Sequence, residues 1–172
     1  YRAAVMGVND GLASSFALVW GVAGGTSNPQ IIRLAGVAGL LAGAFSMAAS
    51  EYISMRANVD LARSRIEQER QELEDFPEEE QKELVVIYRA KGLTEEEAEM
   101  LAARVMKNKA VALDTMIREE LGLDPHQLGS PWGASISSFL AFITGAIIPV
   151  IPYFFAVNSS FAFIASGVLS TL

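Results

Sequence analysis

Between residues 130 and 172 the chain runs for 43 consecutive residues without an Asp, Glu, Lys or Arg. A helix of roughly 20 apolar residues crosses the hydrocarbon core of a bilayer, so this stretch holds about two spans. They divide near Asn158-Ser159-Ser160. Two more apolar runs lie at the other end of the sequence. Residues 3–25 carry one charge, Asp10, and residues 34–50 carry none, with the second run reaching Met55 if Glu51 is tolerated. The first run is no cleavable signal: it lacks a charged lead and a small-residue cleavage site, and it contains Asp10. The net charge of −7 sits entirely in residues 56–131, which hold 18 acidic and 11 basic residues. The rest of the chain carries only Arg2, Arg33, Asp10 and Glu51. Such a partition excludes a uniformly soluble globule. It describes an all-α membrane protein in three parts. Residues 1–55 form two spans, 56–131 a soluble acidic insert, and 132–172 a third span and part of a fourth. The first residue is not Met, and the last apolar run is only about 12 residues, short of a full span. We therefore expect part of a longer protein that lacks at least one span.

Composition narrows the chemistry. With no cysteine, disulfides, thiolate zinc sites, iron–sulfur clusters and cysteine nucleophiles are excluded. The single histidine, His126, excludes a multi-histidine metal site within one chain. Metal chemistry here falls to carboxylates, carbonyls, methionine and water. A net negative charge without a basic tract argues against nucleic acid, and no nucleophile–base pair or nucleotide motif suggests an enzyme. Arg56, Arg63 and Arg65 follow the second span, Arg118 precedes the third and Arg2 the first, whereas Arg33 alone lies on the opposite side. That excess places the insert and the N-terminus in the cytoplasm. Gly7 and Gly11, Gly21 and Gly25, and Gly39 and Gly43 have the four-residue spacing that lets helices approach closely in lipid.

The insert reads as three or four helices. Residues 55–75 continue the second span as one helix that stops at Phe76-Pro77. Pro77 suits the first turn of a helix that ends near Gly92. Thr94 and Glu97 form a capping box for the next helix, and residues 109–121 form the last, closed by Gly122 and Asp124-Pro125. Leu84, Ile87 and Tyr88, then Leu101 and Val105, then Ala112, Leu113 and Ile117 supply apolar stripes.

On those helices, Glu69 and Glu72 are three apart and share a face, and Glu80 and Glu83 repeat the spacing. Met116 and Glu120 are four apart on the last helix. Convergence of the three helices brings five carboxylates and a thioether to one space, a donor set for a hard or borderline divalent cation. The same pattern fits ordinary solvated faces, and the Glu-x-x-His pairs of a di-iron oxidase are missing. Within the spans, Asp10 is an intramembrane carboxylate, suited to ligating a cation or carrying a proton. Met47, Glu51 and Met55 form a stripe on the second span. Glu51 suits either role of Asp10, and Met47 offers a soft ligand or ordinary packing.

Four motifs occur in order along the chain. They are Asn9-Asp10-Gly11-Leu12, Gly43-Ala44-Phe45-Ser46-Met47-Ala48-Ala49 with Glu51-Tyr52, Glu119-Glu120-Leu121-Gly122-Leu123, and Gly145-Ala146-Ile147-Ile148-Pro149 with Pro152. In this the chain resembles the vacuolar iron transporter, or CCC1-like, family over nearly its whole length. The resemblance implies a five-span homodimer with a cytoplasmic metal-binding domain between spans two and three. It implies export of Fe²⁺, and in some members Mn²⁺, from the cytoplasm in exchange for protons. By position the family's cytoplasmic ligands fall on Glu69, Glu72, Glu80, Glu83, Met116 and Glu120, and its membrane-path residues on Asp10 and Met47. The chain departs from the pattern at Gly39, where some members carry a glutamate; Glu51 is the nearest carboxylate on that span able to compensate.

The expected mechanism has two sites. The acidic insert gathers Fe²⁺ and raises its local concentration. The ion then passes Asp10 and Met47 between spans one and two of two subunits, and protonation of Asp10 or Glu51 releases it. Mn²⁺ and Zn²⁺ suit the same donors, and no prosthetic group is implied. The expected home is a bacterial cell membrane or a vacuolar-type membrane. The rival readings are a divalent-gated cation channel, which the two thioethers disfavour, and a membrane-anchored iron buffer, which Asp10 disfavours.

Overall fold

A computed structural model describes residues 2–125, 127–155 and 159–170, with the side chains of 2–4 and 159–160 left aside. His126 and Asn158 fall outside the described residues. Every described element is helical: α1 (Arg2–Gly25), α2 (Pro29–Asp75), α3 (Pro77–Ala90), α4 (Glu95–Met106), α5 (Lys109–Glu119), α6 (Pro131–Val150), α7 (Pro152–Phe155) and α8 (Ser159–Ser170). Three of them are long and apolar enough to cross a membrane: Val5–Gly25, α2 and α6. The 47 residues of α2 are more than twice the roughly 20 that hydrocarbon requires, so the second span continues into the charged segment without a break. The chain divides into two compact units, Tyr1–Met55 with Ser130–Leu172, and Arg56–Gly129.

In the apolar unit α1 packs most extensively on α6. Glycine makes this approach possible. A Cβ on Gly11 would run into the Phe142 carbonyl oxygen and lie 2.9 Å from the Ala146 nitrogen, and a Cβ on Gly145 would run into the Val8 carbonyl oxygen. A Cβ on Gly7 would lie 3.0 Å from Ala141 Cβ. Gly39 and Gly43 are filled by side chains instead, Leu18 and the Phe142 ring. The close packing expected at Gly21 and Gly25 is not found among the described residues: a Cβ on either would have nothing within 4 Å, because the end of α1 packs through Val19, Val22 and Ala23 instead. Leu40, Ala44, Phe142 and Ala146 form one buried cluster, and Val19, Ile32, Val150, Tyr153 and Ala162 another.

The third span ends at Val150, ahead of the division expected near Asn158. Pro149 and Pro152 lack the N–H groups that would bond the carbonyls of Gly145 and Ile148, so the helix breaks and restarts as α7. The Ser166 hydroxyl, buried, donates to the Pro149 carbonyl at 2.9 Å. That bond satisfies backbone at a proline break where no water is at hand.

In the acidic unit the helix ends follow local chemistry. Pro77 opens α3, and Gly92, at φ +100°, follows its C-cap. Thr94 and Glu97 form a reciprocal capping box on α4. The Asn108 carbonyl oxygen of the side chain accepts from the Ala110 and Val111 amides to cap α5. α5 stops at Glu119, with Glu120 as its C-cap, two residues before the end expected at Leu121. The core is Leu73, Leu84, Tyr88, Ala98, Ala102, Ala112 and Met116. Leu101, expected inside, is exposed; α4 turns its alanines inward, because small residues let it lie close against α3 and α5.

Candidate metal-binding sites

The acidic unit brings three carboxylates together. Glu69 on α2, Glu80 in the first turn of α3 and Glu120 at the C-cap of α5 each present one oxygen within 4.8 Å of the others. Glu69 is 2% exposed and Glu80 5%, while Glu120 faces solvent. Glu69 Oε1 and Glu80 Oε2 are buried with no hydrogen-bond partner among the described residues. Burial, then the charges of Glu120 and Glu80, push the Glu69 carboxyl up to about 8. Burial raises Glu80 as well, and burial with the charges of Glu83 and Glu72 raises Glu120. The α5 C-terminus adds its own partial negative charge beside Glu120. All these contributions oppose a bare triad of anions, and all of them favour a cation.

The other expected ligands stand differently. Glu72 is half-buried and accepts a bond from Gln68 Nε2 at 3.0 Å, and Glu83 is exposed. Both lie outside the 4.8 Å group but close enough for their charges to raise Glu120. A three-residue step leaves its second member about 60° around the helix from the first, so one glutamate of each pair points inward and the other flanks. Met116, one turn before Glu120, is wholly buried in the hydrophobic core.

In the apolar unit Asp10 of α1 and Met47 of α2 line one cleft of about 360 Å³, with Phe142 of α6 at its side. Asp10 is exposed, and its backbone carbonyl accepts from the Ser14 hydroxyl at 2.5 Å. Met47 is half-buried against the Leu40–Ala44–Phe142 cluster. Gly39 lines the same cleft, with Leu18 occupying the place its side chain would take. Glu51, half-buried one turn beyond Met47, is not among the lining residues. Ser15, Ser46 and Ser50 are; in the sequence only Ser50 carries a signal, a helical face shared with Met47 three residues before it, and nothing local marks Ser15 or Ser46. A carboxylate, a thioether and several hydroxyls on facing spans make a space that can hold a divalent ion.

A family model described as "VIT family" matches residues 1–172. The chain is 30% identical over 169 residues to vacuolar iron transporter 1 of Arabidopsis thaliana, covering 98% of this chain and 68% of that protein. It is 36% identical over 150 residues to the vacuolar iron transporter of Acanthamoeba castellanii, covering 87% of this chain and 54% of that one. It is 33% identical over 179 residues to the vacuolar iron transporter of Plasmodium berghei, covering 98% of this chain and 66% of the relative.

Proposed function

The chain belongs to the VIT family, an integral membrane transporter of iron and not an enzyme, and from that premise we propose that it carries Fe²⁺ out of the cytoplasm in exchange for protons, as a homodimer. The observation that carries this reading is the pairing of Asp10 and Met47, on two separate spanning helices, in one cleft. A carboxylate in a span is costly unless it binds or titrates, and a thioether beside it favours Fe²⁺ over Mg²⁺. The acidic unit serves as the gathering site, facing the cytoplasm as the arginines following the second span direct. Glu69, Glu80 and Glu120 hold the ion there, with Glu72 and Glu83 as flanking charge and Met116 as a soft neighbour.

Release follows from competition between metal and protons for the same oxygens. On the acidic far side a proton on Asp10, or on Glu51 in its place, lowers the affinity and the ion departs. Mn²⁺ and Zn²⁺ fit the same donors. The membrane is a vacuolar-type or bacterial cell membrane.

The test is uptake into proteoliposomes by the intact protein, with and without a pH gradient, comparing Fe²⁺, Mn²⁺, Zn²⁺ and Mg²⁺. We expect Fe²⁺ flux that rises with an opposing proton gradient and little Mg²⁺ flux. Passive flux indifferent to the gradient would make the protein a metal-gated channel, and binding without flux would make it a buffer.

A further inference from the structure

Ser15 on α1 is 2% exposed and lines the cleft that holds Asp10 and Met47. Its hydroxyl has no hydrogen-bond partner among the described residues. Serines and threonines in helices without access to bulk water bond the carbonyl one turn back, as Ser14, Thr144 and Ser170 do here. Others reach across to a neighbouring helix, as Ser135 and Ser166 do. Ser15 does neither. Ser46 and Ser50, from the facing side of the same cleft, are also uncommitted among the described residues.

We propose that Ser15, with Ser46 and Ser50, supplies neutral oxygen ligands to the divalent ion in this cleft and sets how the cleft ranks one metal against another. The proposal rests on the reading of the cleft as the ion path. Mn²⁺ takes about six ligands, most of them oxygen, and one carboxylate with one thioether leaves most of those positions to be filled. Hydroxyl oxygens replace water in the ion's shell without adding negative charge. The ion is then held well enough to enter and loosely enough to leave. On the side of Gly39 the space is closed by Leu18, so the serines are the uncharged oxygen donors that the cleft retains from both spans.

The experiment is Mn²⁺ and Cd²⁺ uptake into proteoliposomes by the intact protein and its Ser15→Ala, Ser15→Thr and Ser15→Cys variants, with Asp10→Asn alongside. The sequence has no cysteine, so the introduced thiol is unique. Ser15→Ala is expected to raise KM for Mn²⁺ about tenfold, the size of one lost ligand contact, and Ser15→Thr to stay near the parent. Ser15→Cys is expected to shift the Cd²⁺-to-Mn²⁺ ratio by about tenfold toward Cd²⁺, because sulfur is the softer donor. If Ser15→Ala fails to assemble, the metal ratio of Ser15→Cys, taken within one preparation, decides. Loss of uptake in Asp10→Asn with an unchanged KM and an unchanged metal ratio in the Ser15 variants overturns the serine assignment and leaves the transport reading standing. Uptake untouched by Asp10→Asn removes the cleft from the ion path, and the serine proposal falls with it.

Discussion

Glu69 and Glu80, on consecutive helices of the acidic unit, are both almost wholly buried and bring carboxylate oxygens within 4.8 Å of each other and of Glu120, each retaining a buried oxygen that no donor among the described residues reaches. Burial raises both carboxyls, Glu69 to about 8, so without a cation the pair favours holding a proton.

The proton gives the first prediction. Glu69 keeps it up to about pH 8, whereas an unfolded chain loses it near 4.5. The folded unit therefore binds more protons throughout that window. Its metal-free stability is fully present below about 4.5 and falls as pH rises toward about 8. Urea denaturation followed by helicity at pH 5.5, 7 and 8.5 is expected to show that decline, and Mn²⁺ to reverse it. Calorimetry in buffers of different ionisation heat is expected to count about one proton released per ion near pH 7.

Substitution separates the buried triad from its flanks. Glu69→Gln removes an inward ligand and an internal repulsion together. It is expected to stabilise the metal-free protein by about 1–3 kcal/mol at pH 8 while weakening Mn²⁺ binding severely. The double change Glu72→Ala with Glu83→Ala removes only flanking charge and is expected to weaken binding less. Equal losses from the two variants would mean that Glu72 and Glu83 ligate as well.

Met47→Leu tests the thioether. The two side chains have similar volume, so the packing change costs under about 1.5 kcal/mol. Assembly and thermal stability are expected to hold while Fe²⁺ flux falls. Wild-type flux would return Met47 to a packing role against Phe142.

Asp10→Asn preserves shape and removes both charge and titration. It is expected to abolish Fe²⁺ flux while Mn²⁺ binding by the Glu69–Glu80–Glu120 group persists, since the two sites lie in separate units. Near-normal proton-coupled flux would take the ion path out of this cleft and leave Glu51, which does not line it, as the coupling candidate, with Glu51→Gln in the same vesicles as the paired measurement. If neither change lowers flux, antiport through this cleft is wrong.

Gly145→Ala tests the closest helix contact. A methyl there meets the Val8 carbonyl oxygen, backbone that cannot turn aside, so α1 and α6 must separate. Overpacking of this kind costs about 1–3 kcal/mol, seen as a lowered unfolding temperature in detergent. Gly21→Ala, which meets open space, is expected to leave that temperature unchanged or slightly raised.

The sequence by itself determined the helices and the class of protein. Forty-three residues without a charge have no soluble solution other than a deep core that a chain of this size does not build. Pro77, Gly92 and the Thr94–Glu97 box act within a single turn, so those helix boundaries of the insert are legible in the sequence, whereas the end of α5 falls two residues before the expected Leu121. What stayed illegible depended on rotation about helix axes. Spacing put Glu69 with Glu72 and Glu80 with Glu83, and only the packing of α2, α3 and α5 decided that Glu69, Glu80 and Glu120 turn inward. Leu101 fell outward for the same reason, since hydrophobicity marks a face and a neighbour's position chooses it. Ser15 is one serine among many in the sequence; its burial beside Asp10 and Met47 without a partner among the described residues arises from two spans meeting, a long-range relation that no local pattern encodes.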